Sequence, residues 1–196
     1  MLNHLEKQLE ALKGIVERID KVELEKLITE MVETIRNGKK IVTSALGKNV
    51  PICEKFTGTL ISLGVPAYFL HTNNAVHGDL GIVKAGDLVL LLSKSGNTEE
   101  SVYLYDHLKA KGANIWIMTY NENSILAKMS EKKVILYLEH EGDKWNLVPN
   151  NSSIGYLFIL QAIAMELLDR LDIQIDEFKF NHPGGFIGKI LRGEGV

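Results

Sequence analysis

The sequence predicts an α/β domain in which a five-stranded parallel sheet carries helices on both faces, and three observations lead there. Short apolar runs rich in Val, Ile and Leu recur from Lys39 onward, as strands buried on both faces require. Helical stretches, several ended by Gly, alternate with these runs, which is the pattern of βαβ connections. The chain has 196 residues, 45% of them hydrophobic, and at that length it buries roughly 70% of its unfolded surface without crosslinks.

The elements follow in order. Leu2, Leu5, Leu9, Leu12, Val16 and Ile19 recur at alternating spacings of three and four, a narrow seam on a first helix. Two readings of that seam stand open: packing on its own domain, or contact with another copy. Asp20 with Glu23 reads as a capping box, opening a second helix through Leu24, Leu27, Ile28, Met31 and Ile35 until Gly38 stops it. Strands are expected at 41–45, 67–70, 88–92, 115–118 and 134–138, with helices at about 50–63, 98–111 and 124–129. The connection 71–84 is longer than a typical loop and should hold helical turns. After an irregular stretch, 139–151, a helix at about 152–171 is apolar nearly all round, so it should be buried or shared with another subunit. In the tail, Asp176 is expected to cap a short helix, and Pro183-Gly184-Gly185 to turn the chain before another. One domain over 1–196 is expected, with 1–38 a helical segment and 39–196 the α/β body and C-terminal helices.

Charge and composition narrow the function. Lys plus Arg number 22 against 25 Asp plus Glu, a net charge of −3, so no nucleic-acid partner and no membrane surface is expected. No apolar run approaches the ~18 residues of a membrane span, and the start lacks the plan of a signal peptide. The single Cys53 excludes an internal disulfide and a multi-cysteine metal site. A cytoplasmic protein is expected.

The most informative stretch is Ser93-Lys94-Ser95-Gly96-Asn97-Thr98-Glu99-Glu100, which follows a buried strand and opens a helix. Three hydroxyls, a Gly for a tight turn and the free N–H groups of a helix start make an anion cradle suited to a phosphate monoester. Each hydroxyl taken alone reads equally as a helix cap. No G-x-x-x-x-G-K-[ST] or G-x-G-x-x-G pattern is present, against nucleoside triphosphates and dinucleotides. At the end of the first strand, Thr43-Ser44-Ala45-Leu46-Gly47-Lys48 is a second hydroxyl-and-Gly turn with a cation. Strands one and three of such a sheet lie side by side, so both loops would flank one crevice. Lys48 would neutralise a phosphate or polarise a sugar oxygen, or stand solvated at a helix start. His77 and His182 sit among glycines in loops, while Glu100 either leans over a ligand or complements the helix dipole. Glu141 lies in the irregular stretch, with nothing local to distinguish it.

These residues resemble the SIS (sugar isomerase) family, and within it the arabinose-5-phosphate isomerase branch. The family pattern S-x-S-G-x-T-x-E is met by Ser93, Ser95, Gly96, Thr98 and Glu100. The stretch GVPAYFLHTNNAVHGDLG and, far downstream, FKFNHPGGFIGKIL are similar to that branch's HGDLG and HPGG blocks. The resemblance runs from about Gly38 to Leu191. It implies a three-layer α/β/α sandwich around a five-stranded parallel sheet in flavodoxin-like order, usually a homotetramer with active sites at subunit junctions. It also implies that Lys48, Glu100, Glu141, His77 and His182 are catalytic, with Ser44, Ser93, Ser95 and Thr98 holding the substrate phosphate. Asn49 stands where the family usually has Ser, Ala45-Leu46-Gly47 where it has Gly-x-Gly, and Asn150-Asn151 where it often has Thr-Ser. Many relatives continue into a pair of CBS domains; none follows HPGG here, so a chain working without them is expected.

The activity so implied is aldose–ketose isomerisation of a pentose 5-phosphate, D-arabinose 5-phosphate with D-ribulose 5-phosphate, through a cis-enediol. It calls for no cofactor and no metal, only a base, a donor to the carbonyl oxygen and a phosphate anchor. Proton transfer falls to His182 or a glutamate, Glu100 ahead of Glu141, with His77 for ring opening or orientation and Lys48 for charge. The alternatives are a ketohexose 6-phosphate isomerase and a non-catalytic sugar-phosphate-binding regulator.

Overall fold

The computed structural model describes residues 2–193. Five parallel strands, β1 (Ile41–Ala45), β2 (Ala67–His71), β3 (Leu88–Leu92), β4 (Asn114–Thr119) and β5 (Lys133–Ile135), pair in the order β2-β1-β3-β4-β5. β1 lies between β2 and β3, so Ser44 pairs in register with Leu70 on one side and Leu91 on the other. All five residues of β1 and of β3 are buried, as strands covered on both faces must be. Edge strand β2 is less covered, and Tyr68 on it is exposed.

Alternation along the strands divides the core in two. Ile41, Ala45, Leu88, Leu90, Leu92, Trp116 and Met118 face one apolar layer, built from α1 (Leu2–Arg18), α2 (Lys21–Arg36), α3 (Val50–Ser62) and α7 (Asn151–Arg170). Val42, Leu70, Val89, Leu91, Ile115 and Ile117 face the other, with α4 (Thr72–Ala75), α5 (Glu99–Ala110) and α6 (Ile125–Met129). Two short helices, α8 (Ile175–Phe180) and α9 (Gly185–Leu191), close the described chain. The architecture is the expected α/β/α sandwich.

Several expectations are corrected. β5 ends at Ile135 rather than 138: Leu136 still donates its N–H to the Thr119 carbonyl, but the chain then leaves the sheet. Asp176 does not cap α8; Gln174 holds the cap position and Asp176 lies in the first turn, where its charge complements the dipole. Asp20 caps α2 through Val22 N–H (2.8 Å) and Glu23 N–H (3.2 Å), while Glu23 turns to Lys26 instead of returning the bond. Helix α7 does reach the length and composition of a membrane span, yet half of it is packed inside this fold. The connection after β2 does contain helical turns, α4 and a 3₁₀ turn at Asp79–Ile82.

Both readings of the α1 seam are open to different turns of the helix. Ile15 and Ile19 are buried and Leu12 packs against the same core, whereas Leu2, Leu5 and Leu9 are exposed.

Beneath the sheet's N-terminal edge, Glu30 of α2 ties the helical layer to β4 and to the residue just before β5. Its Oε2 accepts from Asn114 Nδ2 (2.7 Å), Trp116 Nε1 (2.8 Å) and Lys132 Nζ (2.8 Å). Burial pushes this carboxyl up, but Lys132, Asn114 and Trp116 outweigh it and hold it below the ordinary value of 4.5. A depressed carboxylate contributes stability that is complete above its unfolded pKa and is lost as pH falls through the folded one. Glu30→Ala is expected to cost about 1–3 kcal/mol at pH 7 by stranding the buried Trp116 N–H. The cost should shrink as pH falls below 4.5, which denaturant melts of both proteins at pH 7 and pH 4 would show.

Candidate active site

The C-terminal ends of β1, β2 and β3 deliver their loops to one edge of the sheet, where ligands gather in open α/β folds. Ser44 is fully buried, and its Oγ lies 3.1 Å from Thr72 Oγ1 at the start of α4. Lys48 is exposed in the 3₁₀ turn Gly47–Asn49. His77 is exposed just beyond α4, where Gly78 takes φ +127° and lets the chain turn. His71, ending β2 opposite Ala45, carries a buried Nδ1 with no hydrogen-bond partner among the described residues.

The loop after β3 is held from below. Lys94 O accepts from Thr119 Oγ1 (3.0 Å) and Tyr120 N–H (3.2 Å), Ser95 O from Asn121 Nδ2 (3.1 Å), and Gly96 O from Leu126 N–H (3.0 Å). Asn97 Oδ1 accepts from Ile125 N–H at 2.8 Å, fastening the loop to the start of α6. Three successive carbonyls are thus held by the body, while of the hydroxyl residues Ser93 is buried, Thr98 half-buried and Ser95 exposed. Ser93 Oγ accepts from Gly96 N–H (3.1 Å) and lies 3.4 Å from Thr98 Oγ1; Ser95 Oγ accepts from Asn97 N–H (3.2 Å). Thr98 occupies the N-cap of α5 but makes no side-chain cap bond. The first N–H groups of α5 therefore lack the cap that Thr98 would ordinarily give them. Glu100 follows one turn on, exposed, in a surface groove with Asn97, Tyr103 and Ile125.

Gly96 has φ +63°, a left-handed conformation that L side chains rarely adopt. A Cβ there would collide with Ser124 Oγ and crowd Thr119 Oγ1 at 3.1 Å.

Glu141 has no exposed surface. Its Oε1 meets Lys94 Nζ at 2.6 Å and Ser152 Oγ at 2.5 Å, and its Oε2 accepts from Ser152 N–H (2.9 Å) and Asn150 N–H (3.0 Å). Burial pushes its pKa up, but Lys94, Ser152 and the two backbone donors outweigh this and hold it below the ordinary carboxylate range. The sequence does not single out Lys94 or Ser152. Nothing local marks them; only the fold, bringing the 139–150 stretch back beside the β3 loop, does so.

His182 lies at the other edge of the sheet. Its Nδ1 is 2.7 Å from Phe178 O and its ring stacks on Phe178 at 4.1 Å between centroids. The adjacent Asn181 donates to the Ser62 carbonyl (3.4 Å), where α3 ends before β2 begins. Helix α7 runs from Ser152, whose carbonyl accepts from Tyr120 Oη beyond β4, down to Arg170, whose carbonyl accepts from Arg36 of α2. Its 20 residues rise about 30 Å. One chain therefore gathers Ser44, Lys48, His77, Ser93, Ser95, Thr98, Glu100 and Glu141 at one edge and leaves His182 at the opposite one.

Comparison with known proteins agrees with this fold. The model of the SIS domain matches residues 34–165. The arabinose 5-phosphate isomerase KdsD of Pseudomonas aeruginosa is 36% identical over 160 residues, 81% of this chain and 49% of that protein. The KdsD of Francisella tularensis subsp. tularensis is 29% identical over all of this chain and 62% of its own length. The chain thus spans about half to three-fifths of the length of these curated relatives. Among solved structures, an Escherichia coli CFT073 protein in complex with arabinose 5-phosphate superposes with a TM-score of 0.86 at 30% identity, covering 93% of this chain and 95% of that one. With the family pattern on the loop after β3 and the family's model across the sheet, the chain belongs to the SIS domain family.

Proposed function

We propose that the protein is a sugar-phosphate aldose–ketose isomerase acting on D-arabinose 5-phosphate and D-ribulose 5-phosphate. The observation that carries this reading is the loop 93–98, whose carbonyls are spent on β4 and α6 while its hydroxyls and the uncapped start of α5 remain for a ligand. That is a preformed receptor for a phosphate monoester. The relatives named arabinose 5-phosphate isomerase, and the similar structure holding arabinose 5-phosphate, supply the sugar.

Ser93, Ser95 and Thr98 anchor the phosphate; Ser44, expected to share that part, is fully buried with its Oγ 3.1 Å from Thr72 Oγ1 and supports that residue instead. Remote binding of the phosphate holds the opened sugar so that C1 and C2 meet the reacting groups. A base removes the C2 proton of the aldose, the electron pair forms the C1–C2 double bond of the cis-enediol, and the carbonyl oxygen at C1 takes a proton. Return of a proton to C1 and loss of one from the C2 hydroxyl then gives the ketose. Lys48 stabilises charge on the enediolate oxygen, His77 orients the opening ring, and proton transfer falls to His182 or Glu100.

His182 is distant from its own cradle, so it serves the site of a second copy. Exposed apolar groups on four elements favour assembly: Leu2, Leu5 and Leu9 on α1, Phe158 and Met165 on α7, Phe180 on α8, and Phe186, Ile187 and Ile190 on α9. A homotetramer with active sites at subunit junctions accommodates both the patches and the distant histidine.

Two outcomes check this reading. Incubation with D-arabinose 5-phosphate in D₂O should yield ketose and carry deuterium into C2 of recovered aldose; no ketose at saturating substrate would leave only a binding protein. Gly96→Ala, which forces the loop off its α6 support, should cut turnover by about a hundredfold or more while sheet content by circular dichroism is kept. Wild-type turnover in that variant would remove the loop from the site.

A further inference from the structure

We propose that Lys94 is the cation of the phosphate cradle and that Glu141 is its positioning residue. This rests on the sugar-phosphate reading of the same loop and assigns within it a residue that the family pattern leaves as an unspecified position. Lys94 stands between Ser93 and Ser95, and its carbonyl is pinned by Thr119 and Tyr120, so the root of the side chain is fixed. Its ammonium meets Glu141 Oε1 at 2.6 Å, and it finds no other acceptor among the described residues. An ammonium has three donors, so two remain to be offered. The pair is one-sided: the Lys94 side chain is 42% exposed and that of Glu141 only 1%. An anion arriving at the loop therefore meets the cation and is shielded from the carboxylate.

The surroundings of Glu141 define its part. An ionised carboxylate has about four acceptor positions, and here Lys94, Ser152 Oγ, Ser152 N–H and Asn150 N–H occupy them. To take a proton from a substrate carbon, Glu141 would have to give up one of these bonds and reach a solvent it does not touch. What it does without moving is hold an ammonium in one place, on the loop that carries Ser93, Ser95 and Thr98. Preorganisation of that kind lowers the cost of binding. Lys48, exposed and without a side-chain partner among the described residues, lacks such a restraint and is free to follow charge at the sugar.

The test compares Lys94→Met, Lys94→Arg, Glu141→Gln and the Lys94→Met/Glu141→Gln double variant in the full chain. Inorganic phosphate affinity is measured by calorimetry, KM and kcat with D-arabinose 5-phosphate, and folding by melting temperature. Lys94→Met should weaken phosphate binding and raise KM by about tenfold or more, with a much smaller change in kcat; Lys94→Arg should recover part of the loss. Glu141→Gln should move the same two quantities in the same direction, and its effect should vanish in the Lys94→Met background, the mark of two residues acting through one interaction. Unchanged phosphate affinity in a folded Lys94→Met protein would overturn the proposal. So would a Glu141→Gln protein that loses kcat while phosphate affinity and KM stay normal, because that is the signature of a base. If the wild type turns over no sugar, the isomerase reading fails by itself, while the phosphate titrations still decide the role of Lys94.

Discussion

A carboxylate with no exposed surface has to be paid for by its neighbours, and Glu141 organises the functional edge of this protein through that requirement. Isolated in an apolar interior, such a charge would cost several kcal/mol. Four donors offset this: the Lys94 ammonium, the Ser152 hydroxyl and the backbone N–H groups of Asn150 and Ser152. Meeting them fixes three things at once. The irregular chain after β5 is folded back, with Asn150 Nδ2 and Asn151 N–H both donating to the Glu141 carbonyl (2.8 and 3.3 Å). The start of α7 receives a negative charge where its dipole favours one. The loop after β3 is joined through Lys94 to an element far along the chain.

That linkage joins a helix as apolar as α7 to the candidate site as well as to the core. Its buried face packs against α1, α2 and α3, and its first turn is held by Glu141, so position is set at one end by packing and at the other by charge. Tyr120 and Tyr156 stack edge to face at 4.9 Å and donate to Ser152 O and Met118 O, tying the same turn to the end of β4. Gly155 is the small residue this closeness needs, for a Cβ there would strike Tyr120 Oη and lie 2.6 Å from Ile15 Cδ1.

Much of this is legible in the residues. The unbroken Leu and Val run of β3 locates that strand to the residue, and β1 is found as closely although Thr43 and Ser44 interrupt its apolar signature. The hydroxyl-rich loop after β3 is equally plain, because turn chemistry is local. β5 is shorter than its apolar run because Leu136 and Leu138 are apolar for the sake of the core and not for a ladder. Asp176 resembles a cap since carboxylates are favoured throughout a first turn. Lys94 and Glu141 are opaque as a pair: 47 residues separate them, and neither has a neighbour in sequence that betrays the other. His182 stands in the sequence as a site residue by its place among glycines and by resemblance, and the fold sets it across the sheet from the other candidates.

With His182 as the proton-transfer group, turnover on the proposed reading depends on a site assembled from two copies, with the cradle from one and the histidine from the other. Its most direct test is complementation between two chains, one carrying His182→Asn and the other Ser95→Ala with Thr98→Ala. Each alone should be nearly inactive on D-arabinose 5-phosphate, and oligomers assembled from both should regain turnover, since some junctions then pair an intact cradle with an intact histidine. Hybrids verified by native mass spectrometry that stay as inactive as their parents would contradict the shared site.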